Sequence, residues 1–330
     1  MKKSKKLLFL FILLFLVSGC TKQLKDADGK PVKSKETNQV LVENVLCKPD
    51  ELKNEYIKAI EEKRNAYKEK FDAGDLAKNK YKENISNLLD VEDLTACKDI
   101  SIVEGGYETL WTSVFVKPLA WVIVNVGKLL GNNFGLSIIV VTIVIKLLLL
   151  PSSIKSLKQS ENLKKAQPKL NKLEKKYAGK NDQESMMMKS NEMMAIYKEY
   201  QIKPLSGCLL VFIQLPLFLA FYEALNRLPI LFEGEFLGLH MGMTPIAAIN
   251  GGNYIYLVLP ILVLLVTYFS MKMNKNQMQG DQAKQMNTMF NIMIIMIFFT
   301  SFSMSTSIIM YWITNSLFTI VQNLLVKRSK

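Results

Sequence analysis

The stretch that decides the fold is an apolar run with one charge inside it: Phe134-Gly135-Leu136-Ser137-Ile138-Ile139-Val140-Val141-Thr142-Ile143-Val144-Ile145-Lys146-Leu147-Leu148-Leu149-Leu150. An ionisable side chain in a bilayer core costs roughly 2.5–3.5 kcal/mol on insertion scales, and it usually faces an internal cavity or a transport path. Lys146 is therefore a candidate functional residue. The alternative is a snorkelling side chain, because Lys146 precedes Pro151 by only a short stretch of helix and reaches partway to the interface.

Further apolar regions follow this run, and together they predict a membrane protein with five spans. Met289–Val326 is too long for one crossing of about 20 residues, and a polar interruption around Ser301 and Ser303–Ser307 divides it. The predicted spans are 134–150, 205–225, 254–271, 286–303 and 306–326. Residues 110–130 are also apolar but are broken by Lys117-Pro118 and Lys128, which favours an amphipathic helix lying in the interface.

The net charge of +13 is concentrated beside apolar segments, which argues against a DNA-binding surface. Residues 21–133 carry 18 basic and 19 acidic side chains, whereas the loop 152–203 carries 12 lysines and 6 acidic residues. Basic loops lie on the cytoplasmic side of a membrane. This rule predicts a cytoplasmic loop 152–203, a cytoplasmic C-terminus and an outer N-terminal region.

The N-terminus has the pattern of an export signal. Four lysines precede the short apolar core Leu7–Leu16, which ends in Val17-Ser18-Gly19-Cys20 and resembles the lipobox of bacterial lipoproteins. The sequence predicts a lipoprotein signal peptide over 1–19 and lipidation of Cys20; the alternative is an ordinary signal peptide with a chance cysteine. Residues 20–45 are polar and lack an apolar period, which predicts a flexible linker.

Residues 46–106 predict an extracytoplasmic helical hairpin, called here the outer hairpin. Two stretches with helical apolar spacing flank the turn Ala73-Gly74-Asp75. Cys47 and Cys97 lie at the two ends of this hairpin, so a disulfide across its base is predicted, with two free thiols as the alternative.

Residues 152–203 predict a second, cytoplasmic helical hairpin, called here the basic hairpin. Its second helix carries Met186, Met187, Met193 and Met194 among charged residues. Methionine-rich surfaces adapt to varied apolar partners. These side chains therefore either contact an apolar substrate or pack the hairpin on itself.

Polar side chains recur at membrane depth in three of the predicted spans. Thr142 and Lys146 share a helix face, and Gln214 lies beside Pro216 in the second span. In the last span, a stripe runs along one helix face and consists of Tyr311, Asn315, Thr319 and Gln322. Such residues either line a polar groove or make interhelical hydrogen bonds.

The order of these parts resembles the YidC/Oxa/Alb membrane protein insertases, and in particular the Gram-positive lipoprotein type. The residues that carry the resemblance are Gly135-Leu136-Ser137-Ile138-Ile139, Lys146 to Pro151, Tyr197-Lys198-Glu199-Tyr200, Pro204-Leu205-Ser206-Gly207-Cys208-Leu209, Ile213-Gln214-Leu215-Pro216-Leu217-Phe218 and Tyr311-Trp312-Ile313-Thr314-Asn315-Ser316-Leu317-Phe318. The similarity covers residues 107–328 and assigns 107–330 to the insertase core. The family usually has Arg at the position of Lys146, and its Pro-Ala-Gly turn between the last two spans reads Met304-Ser305-Thr306-Ser307 here.

The resemblance implies an all-α membrane protein with a hydrophilic groove that is open to cytoplasm and lipid. The groove residues that it implies are Lys146, Thr142, Gln214, Tyr311, Trp312 and Asn315. The implied partners are nascent membrane proteins and the lipid bilayer, with the Sec translocon and the ribosome as further candidates, and the implied location is the bacterial cell membrane. No cofactor is expected, because the mechanism needs no nucleotide and the sequence contains no P-loop.

Two other classes of function compete with this one. A small-solute transporter or channel would explain an intramembrane cation, but the five spans show no internal repeat. A membrane-embedded enzyme is disfavoured, because the only histidine, His240, lies in an outer loop and leaves no histidine cluster for a metal site.

Overall fold

The computed structural model describes residues 21–26, 28–35, 37–86, 88, 90–103, 108–180, 182–203, 206–275 and 281–328. The fold is that of an all-α membrane protein. The helices are α1 (Lys53–Asp72), α2 (Lys78–Ser86), α3 (Lys117–Leu129), α4 (Phe134–Lys176), α5 (Gln183–Glu199), α6 (Ser206–Arg227), α7 (Pro229–Phe232), α8 (Pro245–Asn250), α9 (Val258–Lys275), α10 (Asp281–Ser301) and α11 (Thr306–Arg328). A short antiparallel pair, β1 (Glu235–Phe236) and β2 (Leu239–His240), lies between α7 and α8.

Several of the described helices are long and apolar enough to cross a membrane. By length and composition they are Thr112–Leu129, Phe134–Lys176, Tyr254–Met273 and Thr306–Val326, and Phe290–Ser301 is a shorter apolar helix. Thr112–Leu129 begins with a π-helical turn, Thr112–Val116, and continues as α3. The interfacial position of 110–130 remains a prediction.

Helix α4 differs from the predicted arrangement, in which a span ends at Leu150 and a separate hairpin helix follows. It is one helix of 43 residues, with Pro151 and Pro168 inside it. A proline removes one backbone hydrogen bond but leaves the turns on either side intact. The Ser153 hydroxyl bonds to the Leu149 carbonyl oxygen at 3.2 Å beside the first proline. At 1.5 Å per residue, α4 is about 65 Å long, so its C-terminal half extends beyond a hydrocarbon layer about 30 Å thick.

The chain forms two compact units, of which the first comprises the residues up to Val141, Phe218–Pro260 and Ser301–Tyr311. Its N-terminal segment, residues 21–45, differs from the flexible linker that the sequence predicts. Isolated bridges pair Gln23 with Val42 and Lys33 with Val40. The few apolar side chains of this segment are buried in a cluster that also contains residues of α1. The cluster comprises Leu24, Leu41, Val42, Val45, Leu52, Tyr56, Ala59, Ile60, Val91 and Phe232. Composition suggested disorder, but this tertiary core orders the segment.

The outer hairpin also belongs to the first unit and consists of α1 and α2. Phe71 stacks on Tyr81 across the turn with ring centroids 4.7 Å apart, and Gly74 adopts the positive φ of +81° that the turn requires. A disulfide joins Cys47 and Cys97, whose Cα atoms are 4.8 Å apart. The predicted signal peptide and Cys20 lie outside the described residues.

The rest of the first unit contains the connection between α6 and α9 and the turn before α11. Backbone hydrogen bonds join the two: Ile246 donates to the Phe302 carbonyl at 3.0 Å, and Thr306 donates to the Met243 carbonyl at 3.0 Å. Ser301, Ser305, Thr306 and Ser307 are all buried in this turn.

The second unit comprises Thr142–Leu217, Ile261–Thr300 and Trp312–Lys330, and it contains the basic hairpin. Lys169 pairs with Glu199 and Lys176 with Glu192, which sets α5 antiparallel to the C-terminal half of α4. The Asp182 carboxylate accepts a bond from the Ser185 amide at 2.8 Å and caps α5. The side chains of α5 are exposed or half-buried, and none is fully buried.

Candidate functional site

Lys146 lies on α4 with its side chain mostly buried at 9% exposure. Its amino group donates a hydrogen bond to Oε1 of Gln214 at 2.9 Å. Among the described residues, no carboxylate oxygen lies within the 4.0 Å limit of an ion pair with this amino group. The amino group of Lys146 is therefore held by a neutral amide.

Gln214 connects Lys146 to the last helix. Its Nε2 donates to Oδ1 of Asn315 at 3.4 Å, so one amide receives a hydrogen bond from α4 and gives one to α11. Gln214 precedes Pro216, which lies inside α6 and has no backbone N–H to donate to the preceding turn. The chain Lys146–Gln214–Asn315 thus links three helices within the second unit, and we call it the polar network.

Trp312 is anchored by a residue that sequence reasoning missed. Its indole Nε1 donates to the hydroxyl of Thr267 on α9 at 3.0 Å. Thr267 is buried at 3% exposure on α9, directly after the apolar run 257–266. A hydroxyl at the end of such a run was the available signal, because buried polar side chains in spans need partners.

The other polar residues predicted for the groove have different surroundings. Thr142 is buried one turn before Lys146 on α4. The Thr319 hydroxyl donates to the Asn315 carbonyl of its own helix at 2.9 Å, so its hydrogen-bonding need is met within α11. Tyr311 belongs to the first unit, where it stacks on Phe221 with centroids 4.2 Å apart.

The methionines of the basic hairpin are largely on the surface. Met186 and Met187 are 63% and 64% exposed, Met194 is also exposed, and Met193 is half-buried. The ion pairs Lys169–Glu199 and Lys176–Glu192 connect the two helices through other side chains. These apolar side chains are thus available to a partner.

A second charged cluster, in the first unit, was also missed. Arg227 is fully buried at the end of α6 and pairs with Glu108 at 2.6 Å and with Glu223 at 3.8 Å. Glu223 in turn accepts a hydrogen bond from the Trp111 indole at 3.0 Å. The i, i+4 spacing of Glu223 and Arg227 was the sequence signal for this cluster.

Several known membrane proteins are similar to this chain. A family model described as 60Kd inner membrane protein matches residues 125–330. The membrane protein insertase YidC of Oceanobacillus iheyensis is 32% identical over 241 residues, which cover 71% of this chain and 91% of that protein. Membrane protein insertase YidC 2 of Listeria innocua is 36% identical over 237 residues, covering 69% and 79%. Membrane protein insertase MisCA of Bacillus subtilis is 36% identical over 219 residues, covering 66% and 79%.

Proposed function

The chain belongs to the YidC/Oxa/Alb insertase family, and on that premise we propose that it is a membrane protein insertase that inserts nascent membrane proteins into the lipid bilayer. The observation that carries the finer mechanism is the hydrogen bond between Lys146 and Gln214. It supports a polar groove in which a short polar tail of the substrate crosses while the apolar segment moves into lipid.

The charge of Lys146 is the feature that attracts an acidic tail. A carboxylate that replaces the Gln214 amide as its partner makes a charge-assisted hydrogen bond, which is roughly twice as strong as a neutral one. Gln214 and Asn315 then remain as neutral donors and acceptors for the peptide groups of the tail. Polar partners at this depth lower the cost of carrying peptide groups through the hydrocarbon layer.

The basic hairpin makes the first contact with the substrate. Its exposed methionines bind apolar segments of different shape, because the thioether side chain is flexible and polarisable. The apolar segment then slides into lipid, and the burial of its side chains at about 25 cal/mol per Å² of apolar surface drives insertion. The same lysine-rich hairpin is the proposed binding site for a ribosome, because its positive charge attracts RNA.

The proposed orientation follows the distribution of charge. The N-terminus is anchored by a lipid on Cys20 at the outer face of a bacterial cell membrane, and the basic hairpin and the C-terminus are cytoplasmic. One acyl chain binds a membrane only marginally, so stable anchoring relies on the spans as well.

The test is insertion of a single-span substrate with an acidic N-terminal tail into proteoliposomes that contain only this protein. Protease protection of the tail reports crossing. We expect protection with the wild-type protein and a loss of roughly tenfold or more in Lys146→Ala, because a charge-assisted hydrogen bond contributes about 1.5–3 kcal/mol.

The matched control is Lys128→Ala, because Lys128 is exposed and lies outside the polar network. A substrate whose tail acids are changed to amides controls for charge. Equal protection by wild-type and Lys146→Ala protein would contradict the role of the lysine. Absence of protection with the folded wild-type protein would contradict insertion by this chain alone.

A further inference from the structure

Arg227 joins three stretches of the chain in the first unit. Its Nε donates to the Asn44 carbonyl oxygen at 2.7 Å, its Nη2 donates to Glu108 at 2.6 Å, and its Nη1 lies 3.8 Å from Glu223. The side chain is completely buried. Because a buried cation without partners is strongly destabilising, this arginine stays in place only while Asn44 and Glu108 remain docked.

The connection that follows Arg227 is attached to the same N-terminal segment by other contacts. The Leu46 amide donates to the Arg227 carbonyl at 2.8 Å. The Glu233 carboxylate accepts bonds from the amides of Asp50 at 3.1 Å and Leu52 at 3.0 Å, just before α1 begins. A carboxylate at this position also interacts favourably with the helix dipole.

An apolar contact completes the attachment. Phe232 is 3% exposed and is part of the cluster that Leu24, Leu41 and Tyr56 form in the N-terminal region. The family match begins at residue 125, so residues 21–103 lie outside it, whereas Arg227, Phe232 and Glu233 lie inside it. The hydrophobic core of the N-terminal region is therefore completed by a residue of the insertase core.

We propose that Arg227 is a positioning residue through which the N-terminal region fixes the outer end of α6, and that insertion by this chain requires this docking. The inference rests on the proposed insertase function. Helix α6 carries Gln214, and the docked connection leads on to α9, which carries Thr267. The N-terminal region thus contacts the same helix that supplies Gln214.

The experiment uses the full chain in proteoliposomes and measures hydrogen exchange and substrate insertion on the same samples. The variants are Arg227→Gln and Arg227→Lys, and the control is Arg64→Gln, an exposed arginine on α1. For Arg227→Gln we expect exchange of the Leu46 amide to rise about a hundredfold, since an unpaired buried group favours local opening. Insertion should fall in parallel by about tenfold.

Arg227→Lys keeps the charge and can bond to Glu108, but it lacks the planar fork that also reaches Asn44. Both readouts should therefore be intermediate for this variant. Helix content and a monodisperse particle must match the wild-type protein. Glu233→Ala is a second route to undocking, because it frees the amides of Asp50 and Leu52 while leaving Arg227 untouched.

Two outcomes would overturn the inference. One is normal insertion by a folded variant in which the Leu46, Asp50 or Leu52 amide exchanges freely. The other is lost insertion while these amides remain protected. Wild-type protein that fails to insert in the same assay would instead contradict the proposed function, so the two failures are distinguishable.

Discussion

The amino group of Lys146 and the amide oxygen of Gln214 are 2.9 Å apart, and this bond is the only hydrogen bond of the lysine that the described residues supply. The pair combines a basic amino group with a neutral partner. A neutral partner leaves the charge uncompensated, so an acidic group that enters can take its place. Substitutions can change the partner at position 214 and the cation at position 146 separately.

Gln214→Glu should impair insertion of an acidic tail more than Gln214→Leu does. A glutamate at this position would form an internal ion pair with Lys146 and repel the carboxylates of the tail, whereas leucine only removes the amide. We expect a further loss of roughly tenfold, in line with about 1.5–3 kcal/mol for a hydrogen bond to a charged group. Insertion of acidic and amidated substrates by the two variants measures the difference. Equal activity of the two variants would contradict electrostatic attraction at this position.

Lys146→Arg should retain most of the insertion activity. The guanidinium keeps the positive charge and carries more hydrogen-bond donors than an ammonium, so it can bond to Gln214 and to a substrate carboxylate together. Initial rates of protease protection for wild-type, Lys146→Arg and Lys146→Ala protein provide the comparison. Loss of activity in the arginine variant equal to that in the alanine variant would show that side-chain shape, rather than charge, matters at this position.

The membrane part of the fold could be predicted because its signals are local. The apolar runs, the lone Lys146 and the polar Gln214 are all legible in sequence, and the structure joins Lys146 and Gln214 directly. The continuity of α4 through Pro151 could not be predicted in this way. Pro151 indicates a helix boundary, but the flanking turns continue the helix to Lys176.

The N-terminal segment was mispredicted for a different reason. Residues 21–45 have few apolar side chains and no period, so composition indicates a linker. Leu24 and Leu41 are nevertheless buried together with Phe232, which lies far away along the chain. The burial of Arg227 depends likewise on Asn44 and Glu108, which no local pattern connects to it. Contacts between residues so far apart in sequence leave no periodic signal.

The basic hairpin should loosen in acid because of Glu192. Hydrogen bonds from Lys176 and Tyr177 hold the pKa of the Glu192 carboxyl below its usual value of 4.5. The hydrogen bonds that lower this pKa stabilise the hairpin fully when the pH lies above the pKa of Glu192 in the unfolded chain. Their contribution is lost as the pH falls through the lower pKa of the folded hairpin. Labels on α4 and α5 should therefore separate as the pH falls below about 4.5.

The hairpin of the Glu192→Gln variant should be looser at neutral pH and should lose this pH dependence. Glu184→Gln, at an exposed position in the first turn of α5, should behave like the wild-type protein.

Removal of the disulfide should destabilise the outer hairpin. Cys47 and Cys97 are 50 residues apart in sequence, and the chain-entropy model gives a stabilisation of about 4 kcal/mol for a closed loop of that length. The double variant Cys47→Ser and Cys97→Ser should therefore expose α1 and α2 to protease at lower temperature or urea concentration. The control is Cys208→Ser, which leaves the outer hairpin unchanged. Unaltered protease resistance of the double variant would mean that the apolar cluster around Tyr56 suffices.

Substitution of the exposed methionines by a polar residue should weaken substrate binding without unfolding the basic hairpin. Met186 and Met187 lie on α5 with more than half of each side chain exposed. The ion pairs that hold the hairpin involve other residues, Lys169 with Glu199 and Lys176 with Glu192. The double change Met186→Gln and Met187→Gln keeps side-chain length and helix propensity but removes apolar surface, which is worth about 25 cal/mol per Å².

Cross-linking of an apolar nascent segment to α5 should fall roughly tenfold in this double variant. The control Lys189→Gln, on the same helix, should cross-link like the wild-type protein. Undiminished cross-linking of the double variant would contradict a substrate contact through Met186 and Met187, and would leave the exposed Met188 and Met194 as the apolar contact on α5.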